Sequence, residues 1–184
     1  MSPARRDSSR TRSAARLRAA VVVSRYNATV TDRLLEGARS EAASRGVELE
    51  VFDAPGSFEL PAIAGALVRS GAFDAVAVLG CIIKGETEHD RFIAQAICES
   101  IADLSAHSGV PIGLGVLTVN TPEQALARAG GDQGNKGAEA LAAAIETLTT
   151  IRSIGVKNRA ARSIRSHDKL AKRTTKPRKG ARRA

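Results

Sequence analysis

Four short apolar runs are spaced along the chain, and segments with helical spacing separate them. Ala19 to Ser24 is β-branched and reads as a buried strand, with Arg25-Tyr26-Asn27 as the turn after it. Over Val30 to Arg45 the residues Val30, Leu34, Leu35, Ala38 and Ala42 recur at helical intervals. Thr29 or Thr31 is placed to cap that helix, and Gly46 to end it. Val47 to Asp53 alternates, as a half-exposed strand does. After the loop Ala54 to Ser57, a helix is expected over Phe58 to Ser70, with Ser57 as its cap, Pro61 in its first turn and Gly71 at its end. Ala75 to Ile83 is continuously hydrophobic, the pattern of a strand covered on both faces. Glu86 to Ala106 comes next as a helix, with Phe92, Ile93, Ala96, Ile97, Ile101 and Leu104 on one stripe. Ile112 to Thr118 is a further buried strand. Thr121-Pro122 opens a short helix that stops at Gly130-Gly131. A glycine-rich loop, Asp132 to Gly137, then leads into an alanine-rich helix from Ala138 to about Ile154.

Strands alternating with helices at these intervals imply a parallel sheet with right-handed crossovers, and no hairpin signal interrupts them. The expected fold is α/β, a three-layer αβα sandwich around a four-stranded parallel sheet of the flavodoxin-like kind. Ligands of such folds sit outside the carboxyl ends of the strands. That rule selects Arg25 to Asn27, Pro55 to Glu59, Cys81 to His89, and Thr118 to Asn120 together with the residues just after them.

Composition narrows the core, and charge divides the chain. Aromatics are 3% of the 184 residues and Trp is absent, so Ala, Val, Ile and Leu must fill the interior. The net charge of +9 is unevenly held. Residues 1–18 carry six Arg and one Asp, a net +5, and residues 157–184 carry twelve Lys or Arg and one Asp, a net +11. The stretch 19–156 has ten basic and seventeen acidic residues, a net −7. A globular domain is therefore expected over 19–156, between two basic, disordered extensions that lack apolar periodicity. The Arg- and Ser-rich start imitates a transit peptide, but a bacterial-type extension is the reading taken. No run of 18 apolar residues exists, so no membrane span is expected. Cys81 and Cys98 fall in elements expected to be buried, as free thiols of a reducing, cytoplasmic compartment do.

The selected loops gather Tyr26, Phe58, Glu59, His89 and several glycines, with Arg128 and Lys136 as cations from the last part of the chain. A planar heterocycle could stack on such a ring, or Phe58 could simply be core. Gly85, Glu86 and Thr87 lie between a strand's carboxyl end and a helix's amino end, where free amides and the helix dipole suit an anion. His89, beside them, reads as a solvated capping residue or as a proton carrier near neutral pH. No Cys/His/carboxylate set has metal-ligand spacing. A Walker loop, a GxGxxG turn and a GxSxG elbow are all missing, which removes support for NTP hydrolysis and hydride transfer.

At these same loops the sequence resembles the lumazine synthase family. The resemblance is carried by Ser24 to Asn27, Pro55 to Pro61, Gly80 to His89, Arg128 to Gly130 and Gly134 to Gly137, in family order over roughly residues 19–154. It implies condensation of 5-amino-6-(D-ribitylamino)uracil with 3,4-dihydroxy-2-butanone 4-phosphate, without metal or organic cofactor. By motif position it assigns Tyr26, where the family usually has Phe, to stacking on the pyrimidine. It assigns Ser57, Phe58 and Glu59 to the aminouracil and its ribityl chain, and Cys81, Ile82 and Ile83 to the pyrimidine pocket. Gly85, Glu86, Thr87, Arg128 and Lys136 fall to the butanone phosphate, and His89 to proton transfer.

The sequence departs from the family's pattern at two places. Leu114 stands where an aromatic or Asn of an adjoining subunit often completes the aminouracil pocket, and Arg91-Phe92 replaces an acidic-Tyr pair. The resemblance also implies a homo-oligomer, pentamer or larger, with sites between subunits, and Ala14 to Ala20 placed to extend a neighbour's sheet. Outside the resemblance, the basic segment from Lys157 reads as a solvated extension or as a contact for a polyanion. A rival reading makes the chain a scaffold on a retained fold, although His89, Arg128 and Lys136 are all in place.

Overall fold

The computed structural model describes residues 16–174, with side chains described as far as Gly155. Two compact units meet between Ile145 and Glu146, and the sheet lies in the first. The expected N-terminal extension falls, up to position 15, outside the described residues. Strand β1 (Arg18–Ser24) leads to helix α1 (Ala28–Ser44), then β2 (Glu48–Ala54). A 3₁₀ turn (Ser57–Glu59) runs into α2 (Leu60–Ser70) and β3 (Ala75–Ile83). Helix α3 (His89–Ser108), β4 (Ile112–Val119) and α4 (Pro122–Arg128) come after. A two-stranded ribbon, β5 (Ala129–Gly131) and β6 (Gly134–Asn135), leads into α5 (Lys136–Thr174).

The four long strands are parallel in the order β2-β1-β3-β4. Their residues alternate between two cores. Val21, Val23, Leu79 and Cys81 face α1, α4 and the start of α5, while Val22, Val76, Val78 and Ile82 face α2 and α3. Helices thus cover both faces of the sheet, which is why β1 and β3 read as unbroken apolar runs. Aliphatic residues dominate both cores, with one edge-to-face pair, Phe52 on Phe73 at 5.8 Å, on the α2/α3 side.

Local chemistry explains several boundaries. Gly46, at φ +65°, ends α1. Its N–H donates to Ala43 and that of Val47 to Ala42, the paired bonds of a Schellman cap. In α4, Thr121 Oγ1 accepts from the Gln124 N–H at 3.3 Å, as a cap should.

Other expectations needed correction. The cap of α1 is Asn27 rather than a threonine, held left-handed at φ 62° with no side-chain bond to the helix. Ser57 sits in the 3₁₀ turn and caps nothing. Cys98 is exposed, because it lies off the Ile97 and Ile101 stripe of α3. Strand β4 alternates rather than being buried throughout, since it closes one edge of the sheet and leaves Leu114 44% exposed. The glycine-rich loop forms the β5/β6 ribbon, an antiparallel pair that no turn signal announced. Finally, α5 passes Lys157 and continues to Thr174, where a disordered tail was expected. Its sequence there lacks an apolar stripe, but Ala, Arg and Lys are strong helix formers and no proline intervenes.

Candidate active site

The register sets Ser24, Ala54, Ile83 and Val119 along one rim of the sheet. The order in which strands are added reverses at β1, because β2 lies to one side of it and β3 to the other. The loops leaving those two strands therefore part and open a crevice. Asn27 spans it: the amide Nδ2 donates to the Cys81 carbonyl at 3.0 Å. Two ion pairs steady the outer wall, Arg25 to Asp32 at 2.9 Å and to Asp53 at 3.9 Å.

The cleft so formed has a volume of about 340 Å³. Tyr26 and Asn27 line it from β1, Gly56 to Glu59 from the 3₁₀ turn, Cys81 to Ile83 from β3, and Gly85, Thr87, His89, Asp90 and Ile93 beyond. Tyr26 is 71% exposed and Phe58 62% exposed, so Phe58 is not core. Two large aromatic faces left open to solvent in so aromatic-poor a chain are a stacking surface for a flat ligand. Ser57 is buried, yet its Oγ has no hydrogen-bond partner. An unsatisfied buried hydroxyl costs about 1–3 kcal/mol, a deficit that a ligand's polar group would relieve. Gly80 is what lets this turn approach β3, for a Cβ there would lie 2.7 Å from Ser57 Oγ and 3.1 Å from Leu60 Cδ1.

Cys81 is 1% exposed, and burial pushes its thiol up to about 11. The sulfur is thus a neutral, packed wall and not a nucleophile at neutral pH. Glu59 and His89 are exposed at the mouth, free to meet hydroxyls and to exchange protons with a ligand.

The remaining expected residues are placed elsewhere. Helix α3 starts at His89, with Glu88 as its cap, so Gly85 to Thr87 form a loop ahead of it instead of its first turn. Glu86 opens onto a neighbouring groove with Lys84, Arg91, Thr118 and Asn120. Leu114, Arg128 and Lys136 line a third groove, of about 420 Å³, along the exposed edge of β4. There Arg128 Nη1 donates to the Gln124 carbonyl at 3.0 Å, and Lys136 Nζ pairs with Glu139 at 2.6 Å. The chain by itself therefore brings Tyr26, Ser57, Phe58, Glu59, Cys81 to Ile83, Gly85, Thr87 and His89 together, and leaves the two cations apart. Asn27, Asp90 and Ile93 line the cleft as well, although the sequence reading assigned none of them to the site. Only Asn27 carried a signal, its tolerance of the left-handed conformation after a strand. Among the described residues no group of three or more His, Cys, Asp or Glu could hold a metal ion.

Strand order, crossovers and a crevice at the point of reversal define a flavodoxin-like α/β protein with a ligand-type cleft at its switch point. The family model described as 6,7-dimethyl-8-ribityllumazine synthase matches residues 16–152. A protein of that name from Deinococcus deserti is 45% identical over 141 residues, covering 75% of this chain and 90% of the relative. Namesakes from Anaeromyxobacter dehalogenans and Deinococcus radiodurans are 43% and 45% identical over 141 residues, with 87% and 91% of the relative covered. This chain belongs to the 6,7-dimethyl-8-ribityllumazine synthase family.

Proposed function

We propose that the chain is a 6,7-dimethyl-8-ribityllumazine synthase, a cofactor-independent transferase of riboflavin biosynthesis. It condenses 5-amino-6-(D-ribitylamino)uracil with 3,4-dihydroxy-2-butanone 4-phosphate, releasing phosphate and water. The observation that carries this reading is the switch-point cleft, where two exposed rings, a carboxylate and an imidazole converge in a member of this family. The catalytic domain spans 19–156, with the basic segments on either side appended to it.

Tyr26 and Phe58 sandwich or flank the pyrimidine. The Ser57 hydroxyl and the backbone of Cys81 to Ile83 bond its polar edge, and Glu59 accepts from the ribityl hydroxyls. Gly85 and Thr87 face the butanone phosphate from the cleft, and Glu86 flanks them on the neighbouring groove. Imine formation, loss of phosphate and ring closure each move a proton, and His89 at the mouth serves these steps. Holding two reactants in one cleft supplies much of the acceleration, so the imidazole assists a reaction that proximity already drives.

Leu114, Arg128 and Lys136 complete the site from a neighbouring copy. Their groove along an open sheet edge suits a homo-oligomer, pentameric or larger, in which the β4 edge of one subunit meets the cleft of the next. Among the described residues no helix is long and apolar enough to cross a membrane, and the enzyme works in the cytoplasm.

Spectroscopic assay of lumazine formation is the direct test. The wild-type chain should form product. His89→Ala should slow turnover, by roughly 10²- to 10⁴-fold if the imidazole acts in a rate-limiting proton transfer, without abolishing it. Arg128→Ala should raise the KM for the phosphate substrate. Absence of product from the folded wild type would overturn the reading, and an unchanged KM in Arg128→Ala would remove that residue from the site. The uneven charge favours a second activity beside the first: contact between the segment from Lys157 and a polyanion, with twelve basic residues against one acidic.

A further inference from the structure

Helix α5 does not stop where the catalytic family does. The family match ends at residue 152, while the helix runs to Thr174. An α-helix turns about 100° per residue. At that rotation positions 162, 165, 169, 172 and 173, all Lys or Arg, fall within about 100° of the circumference. No acidic position shares that sector, since Asp168 lies outside it. Positions on the opposite side are Ala160, Ser163, His167, Ala171 and Thr174, small or polar, with Ile164 and Leu170 as single bulky apolar residues at their two edges. A helix that lies in a membrane surface needs a continuous bulky apolar face opposite its cations, and two residues set apart at the edges do not make one.

We infer that residues 157–174 form a helical nucleic-acid-binding arm whose basic face follows a phosphate backbone. The inference deepens the polyanion reading and rests on it. From position 162 to 173 the helix rises about 17 Å. Duplex DNA over that length presents about ten phosphates, one for each 1.7 Å or so of axis. A helix of about 10–12 Å diameter also fits a major groove about 12 Å wide. The contacts are to phosphates rather than base edges, so the arm is indifferent to sequence and sensitive to salt. In an oligomer several arms act on one duplex and raise avidity with no new contact.

The test is binding of the full chain to a short labelled duplex, followed by anisotropy across a salt series. Heparin and anionic lipid vesicles serve as parallel probes. Five phosphate contacts give a slope of log K against log salt of about −4.5, a loss of roughly 500-fold between about 50 and 200 mM salt. The variant carrying R162Q, R165Q, K169Q, K172Q and R173Q should lose that dependence. Ser166→Pro keeps every charge but interrupts the helix. It should weaken duplex binding by about tenfold or more while leaving heparin binding as it was. Lumazine formation by each variant reports that the catalytic unit is folded. Equal duplex affinity of Ser166→Pro and wild type would overturn the helical arm, as would tighter binding to vesicles than to duplex. Heparin binding that truncation after Val156 removes, with no duplex binding at all, would keep the polyanion reading and sink this one. Failure to bind either would sink both.

Discussion

Asn27 and Ser57 serve the cleft at a cost to the fold. Asn27 occupies a left-handed backbone position and ties the end of β1 to the Cys81 carbonyl. Asn27→Ala removes that hydrogen bond and puts an unfavourable residue at positive φ, so a loss of about 2 kcal/mol is expected in a denaturation experiment. Asn27→Gly should lose about half as much, because only the bond is missing. Ser57 behaves in the opposite way. Its buried hydroxyl has no partner, so Ser57→Ala should leave stability unchanged or raise it by about 1 kcal/mol, while raising the KM for the aminouracil. Cys81 adds a pH dependence of definite sign. Its folded-state thiol is raised from 9.0 to about 11, so the native state holds the proton more tightly than the unfolded chain does. The stabilisation is complete below about pH 9 and is lost as pH rises toward 11. The difference in urea midpoint between wild type and Cys81→Ala should shrink over that window. Exposed Cys98 should react with a thiol reagent in the native state well before buried Cys81.

At the scale of elements, close backbone approach matters most where α5 begins. A Cβ at Gly113 of β4 would run into the Ala140 carbonyl. Gly113→Ala should therefore cost about 3 kcal/mol or prevent folding, whereas Gly85→Ala, with nothing within 4 Å, should leave the thermal midpoint unchanged. The same contrast explains what could be read from the sequence. The bounds of β3 come directly from Ala75 to Ile83, because a strand buried on both faces writes an unbroken apolar run. The start of α3 does not, because Glu86 and Thr87 continue the helical spacing while the backbone is still turning off the strand. Strand β4 is apolar enough to look buried, and only its place at the edge of the sheet exposes Leu114 and Thr118. The ribbon of β5 and β6 is too short for any periodicity. Asn135, read in the sequence only as part of a glycine-rich loop and a family motif, accepts from the Gly137 and Ala138 amides and so opens α5.

On the scale of the whole molecule, sequence reasoning brought the right loops to one rim, since parallel topology alone decides which ends face together. It could not separate residues that share the rim from residues that share a recess. Arg128 and Lys136 are close to the rim in the chain's layout, yet they open onto the β4 groove. That separation has a genetic consequence. If each catalytic centre takes His89 from one subunit and Arg128 from the next, a His89→Ala chain and an Arg128→Ala chain damage different halves. Random co-assembly of the two in equal amounts should regenerate about a quarter of the centres with both halves intact. Two crippled preparations, unfolded and refolded together, should then be more active than either alone, and alleles bearing these lesions should complement each other in one cell.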